Sequence, residues 1–183
     1  MIYIGTSGYS FKDWKGTFYP ESITSSEMLR FYAQHFDIVE INSTYYAIPK
    51  PRLFEEMIGK TPQDFRFAVK ANSKMTHEQT ENKSIFDQFE AAIQPLVEVN
   101  RLKGILAQFP MAFRNTEKNR GYLKVFKDRL PEHPLIVEFR HDSWIKEPVF
   151  NFLRELGMSY CVVDEPDLPG LVPPEVVATT SLG

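Results

Sequence analysis

Short apolar runs alternate along the chain with longer segments in which apolar residues recur every three or four positions. Six of these runs predict β-strands, over residues 1–5, 37–42, 65–72, 104–109, 135–140 and 159–164. The segments between them have the spacing of amphipathic helices, and the repeat of roughly 31 residues is typical of βα units in a parallel sheet. The pattern therefore predicts an α/β fold with about six βα units.

Several predicted helices have recognisable ends. Thr24 and Glu27 match a capping box, which predicts a helix over residues 25–36. A second helix begins near Pro51 and closes at Gly59. These end signals support helices between the predicted strands.

The strand ends distinguish between two parallel architectures. No Gly-x-Gly-x-x-Gly follows the first strand, and polar residues end nearly every strand, so a TIM-barrel-like parallel (β/α) barrel is favoured over an open doubly wound sheet. A complete barrel needs about 250 residues. We therefore expect residues 1–183 to form a single incomplete barrel domain, in which the Pro-rich segment 166–183 is irregular and leads to an absent seventh strand.

Composition limits the partner classes and the cellular compartment that we expect for the protein. The net charge of -3 and the pI near 5.8 argue against a surface tuned as a whole for nucleic acid or anionic membrane. The single cysteine, Cys161, excludes an internal disulfide framework and is expected to be a small buried residue. Because the chain shows no leader and no run of about 18 apolar residues, we expect a cytoplasmic protein without membrane association.

Polar residues follow the apolar part of nearly every predicted strand. Glu138 and Arg140 occupy alternate positions, so they point to the same face. In a barrel the carboxyl ends of the strands meet at one mouth, where we expect these side chains to gather. The expected catalytic group is Glu40, Lys70, Glu138 and Arg140. The expected ligand-binding residues around it are Asn42, Tyr45, Asn72, His77, Gln108, His141, Asp142, Trp144 and Asp164.

Two interpretations of the catalytic group stay open. In the first, the group forms a buried ion-pair network that fills the barrel. In the second, it binds a ligand, and ligand binding better explains why so many charges are kept despite their desolvation cost. In the second case Glu40 and Glu138 serve as general acid and base, if Lys70 and Arg140 separate the pKa values of the two carboxyl groups. Lys70 as a Schiff-base nucleophile is disfavoured, because neighbouring carboxylates oppose the depressed pKa that it would need.

A divalent metal site is a weaker alternative. Glu40, Glu138, Asp164 and His141 are suitable ligand types, but no local spacing such as His-Glu-x-x-His accompanies them. We therefore assign no metal, and the sequence identifies no cofactor.

A nucleic-acid interface is the second functional alternative. Aromatic side chains for base stacking would be Trp14, Tyr45, Tyr46, Phe113 and Trp144. Cations for the phosphates would be Lys70, Lys74 and Arg140. The acidic total charge makes this the less favoured partner class.

Five ordered motifs carry a resemblance to a known family. They are Gly5-Thr-Ser-Gly-Tyr9 with Trp14 and Phe18-Tyr-Pro20, Val39-Glu-Ile-Asn-Ser-Thr-Tyr-Tyr46, Phe67-Ala-Val-Lys70 with Thr76-His77, Leu106-Ala-Gln-Phe-Pro110, and Val137-Glu-Phe-Arg-His-Asp-Ser-Trp144. The chain resembles the YecE-like family, domain-of-unknown-function family 72. The resemblance implies a TIM-barrel-like fold and leaves the activity open. It also implies truncation, because family members usually continue into two further strands that would supply additional site residues.

These observations lead to three functional hypotheses. The first is an enzyme that acts on a small polar or phosphorylated substrate by acid/base chemistry at the carboxyl ends of the strands. The second is a nucleic-acid-binding or repair-type barrel that uses the same mouth. The third is a shortened remnant without activity that self-associates through open strand edges.

Overall fold

The strands define the architecture of this computed structural model, which describes residues 2–79, 83–166 and 168–182. The strands are β1 (Gly5–Ser7), β2 (Ile38–Ile41), β3 (Arg66–Lys70), β4 (Leu102–Gln108), β5 (Leu135–Glu138) and β6 (Met158–Tyr160). They belong to one six-stranded sheet in the order β1-β2-β3-β4-β5-β6. Helices alternate with them, so the predicted α/β fold with about six βα units is confirmed.

The helices differ widely in length. They are α1 (Met28–Tyr32), α2 (Ser43–Tyr46), α3 (Arg52–Ile58), α4 (Ser73–Thr76), α5 (Lys83–Glu98), α6 (Glu117–Arg129) and α7 (Glu147–Leu156). Two short 3-10 turns cover Lys12–Trp14 and Asp142–Trp144. The one-turn helices α2 and α4, which are not among the predicted elements, follow β2 and β3 almost directly.

A first compact unit consists of Met1–Lys70 and Gln88–Lys103. In it β1 pairs with β2, and β2 with β3, in parallel. The pairing places Ser7 opposite Glu40 at the carboxyl end of β1. Alternate residues of β2 and β3 are buried together with apolar residues of α1 and α3, namely Met28, Leu29, Tyr32, Val39, Ile41, Phe54, Met57, Phe67 and Val69.

A second compact unit consists of Ala71–Asp87 and Gly104–Gly183. Its strands β4, β5 and β6 pair in parallel, and the pairing places Gln108 opposite Glu138. Its core combines strand residues with one face each of α6 and α7, namely Ile105, Ala107, Leu123, Phe126, Leu135, Val137, Val149, Phe150, Leu153 and Met158. The expectation of a single domain stays a prediction.

The segment after β6 has no helix or strand over residue 166 and residues 168–182. It is nevertheless attached to β6. The Thr179 hydroxyl accepts a bond of 2.8 Å from the Tyr160 amide and donates one of 2.7 Å to the Met158 carbonyl oxygen. Val172 is buried, so part of this segment belongs to the core of the second unit.

Three elements differ from the sequence prediction by four residues at one end. The first strand is predicted over residues 1–5, but pairing with β2 starts only at Gly5, and Ile4 is 63% exposed. The helix predicted over 25–36 is limited to Met28–Tyr32, because the chain tightens into i to i+3 turns after it. The last strand is predicted over 159–164, yet it ends at Tyr160.

Among the residues that the structure describes, no helix combines the length and the apolar character that crossing a membrane requires.

Candidate functional site

Three neighbouring strands of the second unit end in polar side chains on one face. Gln108 ends β4, Glu138 ends β5, and Cys161 directly follows β6. The Gln108 side-chain amide donates a bond of 2.6 Å to Glu138 Oε1, and Cys161 Sγ lies 4.0 Å from Glu138 Oε2. Glu138 is only 6% exposed, so the strand ends place a carboxylate in a largely buried position.

Arg140 connects this carboxylate with a second one. Its Nη2 forms an ion pair with Glu138, and its Nη1 lies 2.8 Å from Glu165 Oε2. The second oxygen of Glu165 accepts a bond of 2.9 Å from the Val172 amide. We call Gln108, Glu138, Arg140 and Glu165 the Glu138 cluster.

The Glu138 cluster has an unusual distribution of exposure. The side chains of Glu138 and Glu165 are 8% and 9% exposed, whereas that of Arg140 is 36% exposed. Burial lowers the pKa of the Arg140 guanidinium, but the two carboxylates outweigh that effect and the net pKa is raised. Arg140 is therefore a permanent cation, and its guanidinium carries more N–H donors than these two ion pairs use. The group suits recognition of a negatively charged or polar oxygen.

Glu165 is the residue of this cluster that the sequence prediction missed. The prediction named Asp164, which is exposed. The alternation that relates Glu138 to Arg140 also relates Cys161 to Val163 and Glu165, so the two-residue period contained the necessary signal. Apparent proximity to the predicted strand end favoured Asp164 instead.

His141 and Asp142 follow directly after Arg140. His141 caps the 3-10 turn, because its Nδ1 accepts a bond of 3.1 Å from the Ser143 amide. The same Nδ1 lies 3.0 Å from Asp142 Oδ1, a contact that is a hydrogen bond only when Nδ1 carries a proton. When Nδ1 is the acceptor, the ring proton resides on Nε2 and is available as a hydrogen-bond donor. Asp142 itself is half exposed.

Trp144 and Cys161 lie in other environments than the sequence suggests. Trp144 was expected above the strand ends, but it is fully buried, stacked on Phe139 at 4.3 Å between ring centres. Its indole nitrogen donates to the Phe113 carbonyl oxygen. Packing thus accounts for Trp144, and this placement argues against a ligand contact. Cys161 was expected to be buried and is half-buried instead.

The first unit has its own polar group at the ends of β1 and β2. Glu40 Oε1 accepts a bond of 2.9 Å from the Ser7 hydroxyl, which accepts one of 2.5 Å from the Asn42 side-chain amide. Ser7 is a second residue absent from the predicted set. Its position opposite Glu40 in the β1 and β2 pairing explains the contact. A Cβ atom at Gly5 would clash with the Ile38 carbonyl oxygen, so close strand approach accounts for this glycine.

Lys70 and Tyr45 also meet in the first unit. The Lys70 ammonium lies 5.0 Å from the centre of the Tyr45 ring, which is a cation–π distance. Tyr46 contacts Tyr45 edge to face at 5.1 Å and is 82% exposed. These three residues form an aromatic surface with a cation beside it, in which Tyr46 is exposed and Tyr45 and Lys70 are half-buried.

Asn72 and His77 border α4 in the second unit. The Asn72 side chain accepts a bond of 3.1 Å from the Lys74 amide and so caps α4. His77 is exposed, and its Nδ1 lies 3.0 Å from the Thr76 hydroxyl. A local structural role accounts for Asn72, whereas ligand binding by either residue stays a prediction.

The structure therefore places the predicted residues in two sets. Glu40, Asn42, Tyr45 and Lys70 belong to the first unit, and the other nine belong to the second. That all of them serve one ligand stays a prediction. Within residues 2–79, 83–166 and 168–182, no group of three or more His, Cys, Asp or Glu is arranged to hold a metal ion.

Comparison with known sequences identifies relatives along almost the whole chain. A family model described as "Protein of unknown function DUF72" matches residues 3–182. The UPF0759 protein YunF of Bacillus subtilis is 35% identical over 190 residues, covering 98% of this chain and 66% of YunF. The UPF0759 protein YecE of Escherichia coli K12 is 34% identical over 172 residues, covering 90% of this chain and 59% of YecE. The chain thus spans less than two thirds of either relative.

Two solved structures share the fold. A DUF72 family protein from Thermotoga maritima is 46% identical, with a TM-score of 0.89 over 98% of this chain and 71% of its own. A DUF72 family protein from Enterococcus faecalis is 28% identical, with a TM-score of 0.87 over 98% of this chain and 67% of its own. These matches confirm the predicted fold class and the resemblance to the YecE-like proteins. The chain belongs to the DUF72 family.

Proposed function

We propose that this DUF72 chain is the core of an enzyme that acts on a small polar or anionic substrate by general acid/base chemistry at the Glu138 cluster. The observation that carries the proposal is the pair of buried carboxylates that share one partly exposed arginine at the ends of parallel strands. The carboxyl ends of parallel strands are where TIM-barrel-like enzymes place their catalytic residues. Phosphorylated compounds are included in this substrate class.

The desolvation cost of the Glu138 cluster is easier to explain by a functional role of these residues than by packing alone. Two carboxylates and one guanidinium lose hydration when the second unit folds, and apolar side chains of similar volume are often at least as stabilising. A chain that keeps three charges in this position gains something other than stability from them. Substrate recognition supplies that reason.

In this proposal the residues of the Glu138 cluster have two roles, substrate binding and proton transfer. Arg140 has unused N–H donors and a fixed positive charge, so it anchors an anionic or carbonyl oxygen of the substrate. Glu138 Oε1 is occupied by Gln108 and Arg140, which orient the carboxylate, and Oε2 is the proton acceptor. His141 Nε2 is the candidate donor on the same segment. Glu40 and Lys70 lie in the first unit and are not needed for this proposal.

Turnover assays with a defined panel test the proposal. The purified chain is incubated with sugar phosphates, hydroxy acids and amino acids, and the products are followed by mass spectrometry. Glu138→Gln keeps the shape and the Gln108 contact, and we expect it to lower turnover about a hundredfold. Glu132→Gln changes an exposed carboxylate of the same unit and should leave turnover unchanged. Turnover that survives in Glu138→Gln, or none with any compound, contradicts the proposal.

Nucleic-acid binding is a second candidate, favoured by the exposed Tyr46 ring on the aromatic surface of the first unit. Tyr46 is 82% exposed beside Tyr45, and Lys70 provides a cation at that surface. Binding of single-stranded oligonucleotides should weaken steeply with salt and fall severalfold in Tyr46→Ser. Absence of binding at low salt removes this candidate.

Self-association is a third proposal, supported by exposed apolar residues next to β1. Ile2 and Ile4 are 86% and 63% exposed, and β1 is the first strand in the sheet order. We expect a concentration-dependent increase in apparent mass that is reduced in the double variant Ile2→Ser, Ile4→Ser. A constant monomeric mass in light scattering contradicts it.

A further inference from the structure

A small pocket lies at the carboxyl ends of β1 and β2 in the first unit. Its volume is about 260 Å³. Its apolar wall consists of Tyr9, Phe11, Ile41 and Met57, and its polar edge consists of Glu40 and Asn42. We call it the Glu40 pocket. None of its lining residues belongs to the Glu138 cluster, so the inference below does not rest on the proposed enzymatic function.

The charge of the lining decides which ligands are compatible. Glu40 is the only carboxylate among the residues that line the Glu40 pocket in the described chain, and no lysine, arginine or histidine lines it. An anionic ligand would meet the carboxylate without a compensating cation, which is unfavourable. The pocket therefore excludes phosphate and carboxylate ligands, in contrast to the Glu138 cluster with its partly exposed arginine.

The hydrogen bonds at the polar edge show what the ligand has to supply. Glu40 Oε1 accepts from the Ser7 hydroxyl, and the Asn42 Nδ2 group donates to the same hydroxyl. Among the described residues, the remaining oxygens, Glu40 Oε2 and Asn42 Oδ1, accept no hydrogen bond. Both groups are half-buried acceptors. A complementary ligand must donate hydrogen bonds to them.

The opposite wall favours a cation with an apolar body. Phe11 is 40% exposed and packs on Trp14 at 4.8 Å, so its ring is held in position while one side stays accessible. Tyr9 and Met57 continue this wall. Aromatic faces attract organic cations, and a carboxylate strengthens the attraction through a charge-assisted hydrogen bond.

We propose that the Glu40 pocket binds a small organic ammonium ion, with the ammonium group at Glu40 and Asn42 and the apolar body against Tyr9, Phe11 and Met57. The volume limits the ligand to a short aliphatic or single-ring body. The ligand class thus differs from the anionic class expected for the Glu138 cluster.

Three probes of the same shape test the assignment. Benzylammonium, benzyl alcohol and benzoate are titrated into the isotopically labelled chain, and amide shifts are followed by NMR. We expect benzylammonium to shift the amides of Gly8, Asn42 and Ser43 and to bind about tenfold more tightly than benzyl alcohol. Benzoate should not bind there. Equal affinity for the charged and the neutral probe, or no shift of these amides at the solubility limit, overturns the proposal.

Variants separate the charge from the apolar wall. Glu40→Gln keeps the acceptor for Ser7, so it should fold normally while losing about tenfold in benzylammonium affinity and almost nothing for benzyl alcohol. Phe11→Leu keeps an apolar wall without the aromatic face and should weaken benzylammonium about threefold. Glu55→Gln, an exposed position on α3 outside the lining, is the matched control. Unchanged benzylammonium affinity in Glu40→Gln refutes the assignment.

Discussion

Replacing Arg140 with methionine tests how strongly the Glu138 cluster depends on its single cation. The substitution keeps most of the aliphatic volume but removes both ion pairs, to Glu138 and to Glu165. The two carboxylates that remain have side chains only 8% and 9% exposed. They would be left as neighbouring buried charges without a counterion, so we expect the folded state to lose stability.

The size of the expected stability loss follows from how deeply the arginine and the two carboxylates of these ion pairs are buried. A hydrogen bond to a charged group contributes about 1.5 to 3 kcal/mol when its partner is buried. The sum for two bonds must be reduced, because the Arg140 side chain is 36% exposed and water screens part of the interaction. We therefore expect Arg140→Met to lower the free energy of unfolding by about 2 kcal/mol at neutral pH.

Arg154 offers a matched control in the same unit. Its side chain is 39% exposed and lies 2.8 Å from Glu147, but the Glu147 side chain is 66% exposed. The two arginines are similarly exposed, but Arg140 has two buried carboxylate partners where Arg154 has one exposed carboxylate and the Asn151 side-chain oxygen. Arg154→Met should cost no more than about 0.5 kcal/mol, as is usual for exposed ion pairs.

Urea unfolding, followed by circular dichroism and by the fluorescence of the buried Trp144, measures both losses. Adding Glu138→Gln to Arg140→Met should restore about 1 kcal/mol, because one of the unpaired buried charges disappears. Equal losses for the Arg140 and Arg154 variants, or no recovery in the double variant, would refute the reasoning that carboxylate burial controls this cluster.

Three further predictions concern stability. Tyr160→Phe should leave the free energy of unfolding unchanged or raise it, because the buried Tyr160 hydroxyl has no hydrogen-bond partner within the described residues. Tyr122→Phe, by contrast, loses a bond of 2.6 Å to the Met75 carbonyl oxygen and should cost about 1 kcal/mol in urea unfolding. Burial raises the pKa of Tyr19 and of Tyr160 from 10.0 to about 12. Both phenols should therefore stay neutral in the folded chain at pH values where the phenols of the unfolded chain ionise. The free energy of unfolding should be unaffected by them below pH 10 and should fall by about 2 to 3 kcal/mol per tyrosine as the pH rises to about 12. The fall should be smaller in Tyr160→Phe. Arg101 is 3% exposed and donates to two carbonyl oxygens and one hydroxyl, so Arg101→Met should cost about 3 kcal/mol, and a loss below 1 kcal/mol would contradict this.

The sequence pattern placed Glu138 and Arg140 on one face, but it named Asp164 and not Glu165 as a further residue of the site. Alternation along an extended segment is a local property, so two residues that are two positions apart share a face wherever the strand lies. Glu165 required knowledge of how the chain continues after β6. Asp164 is exposed, whereas the side chain of its neighbour Glu165 is only 9% exposed and reaches Arg140. Alternation places the two acids on opposite faces, but only the fold shows which face carries Arg140.

The short helices α2 and α4 illustrate a second limit of sequence reasoning. A single helical turn is too short to produce a periodic apolar pattern. In α2, the Thr44 hydroxyl donates to the Lys70 carbonyl oxygen at 2.6 Å, a contact across 26 positions of the chain. In α4, the Asn72 side chain caps the turn. Tertiary contacts and capping, rather than periodicity, stabilise these turns.

The amino-acid sequence by itself determined the alternation of strands and helices, the parallel α/β class and the family, because these depend on local periodicity and on motifs along the chain. Only the tertiary structure decided that Trp144 is a core residue, that Glu165 pairs with Arg140, and that Thr179 is bonded to β6. The reason is physical: burial and pairing depend on distances between segments that are far apart in sequence, and periodicity carries no information about those distances.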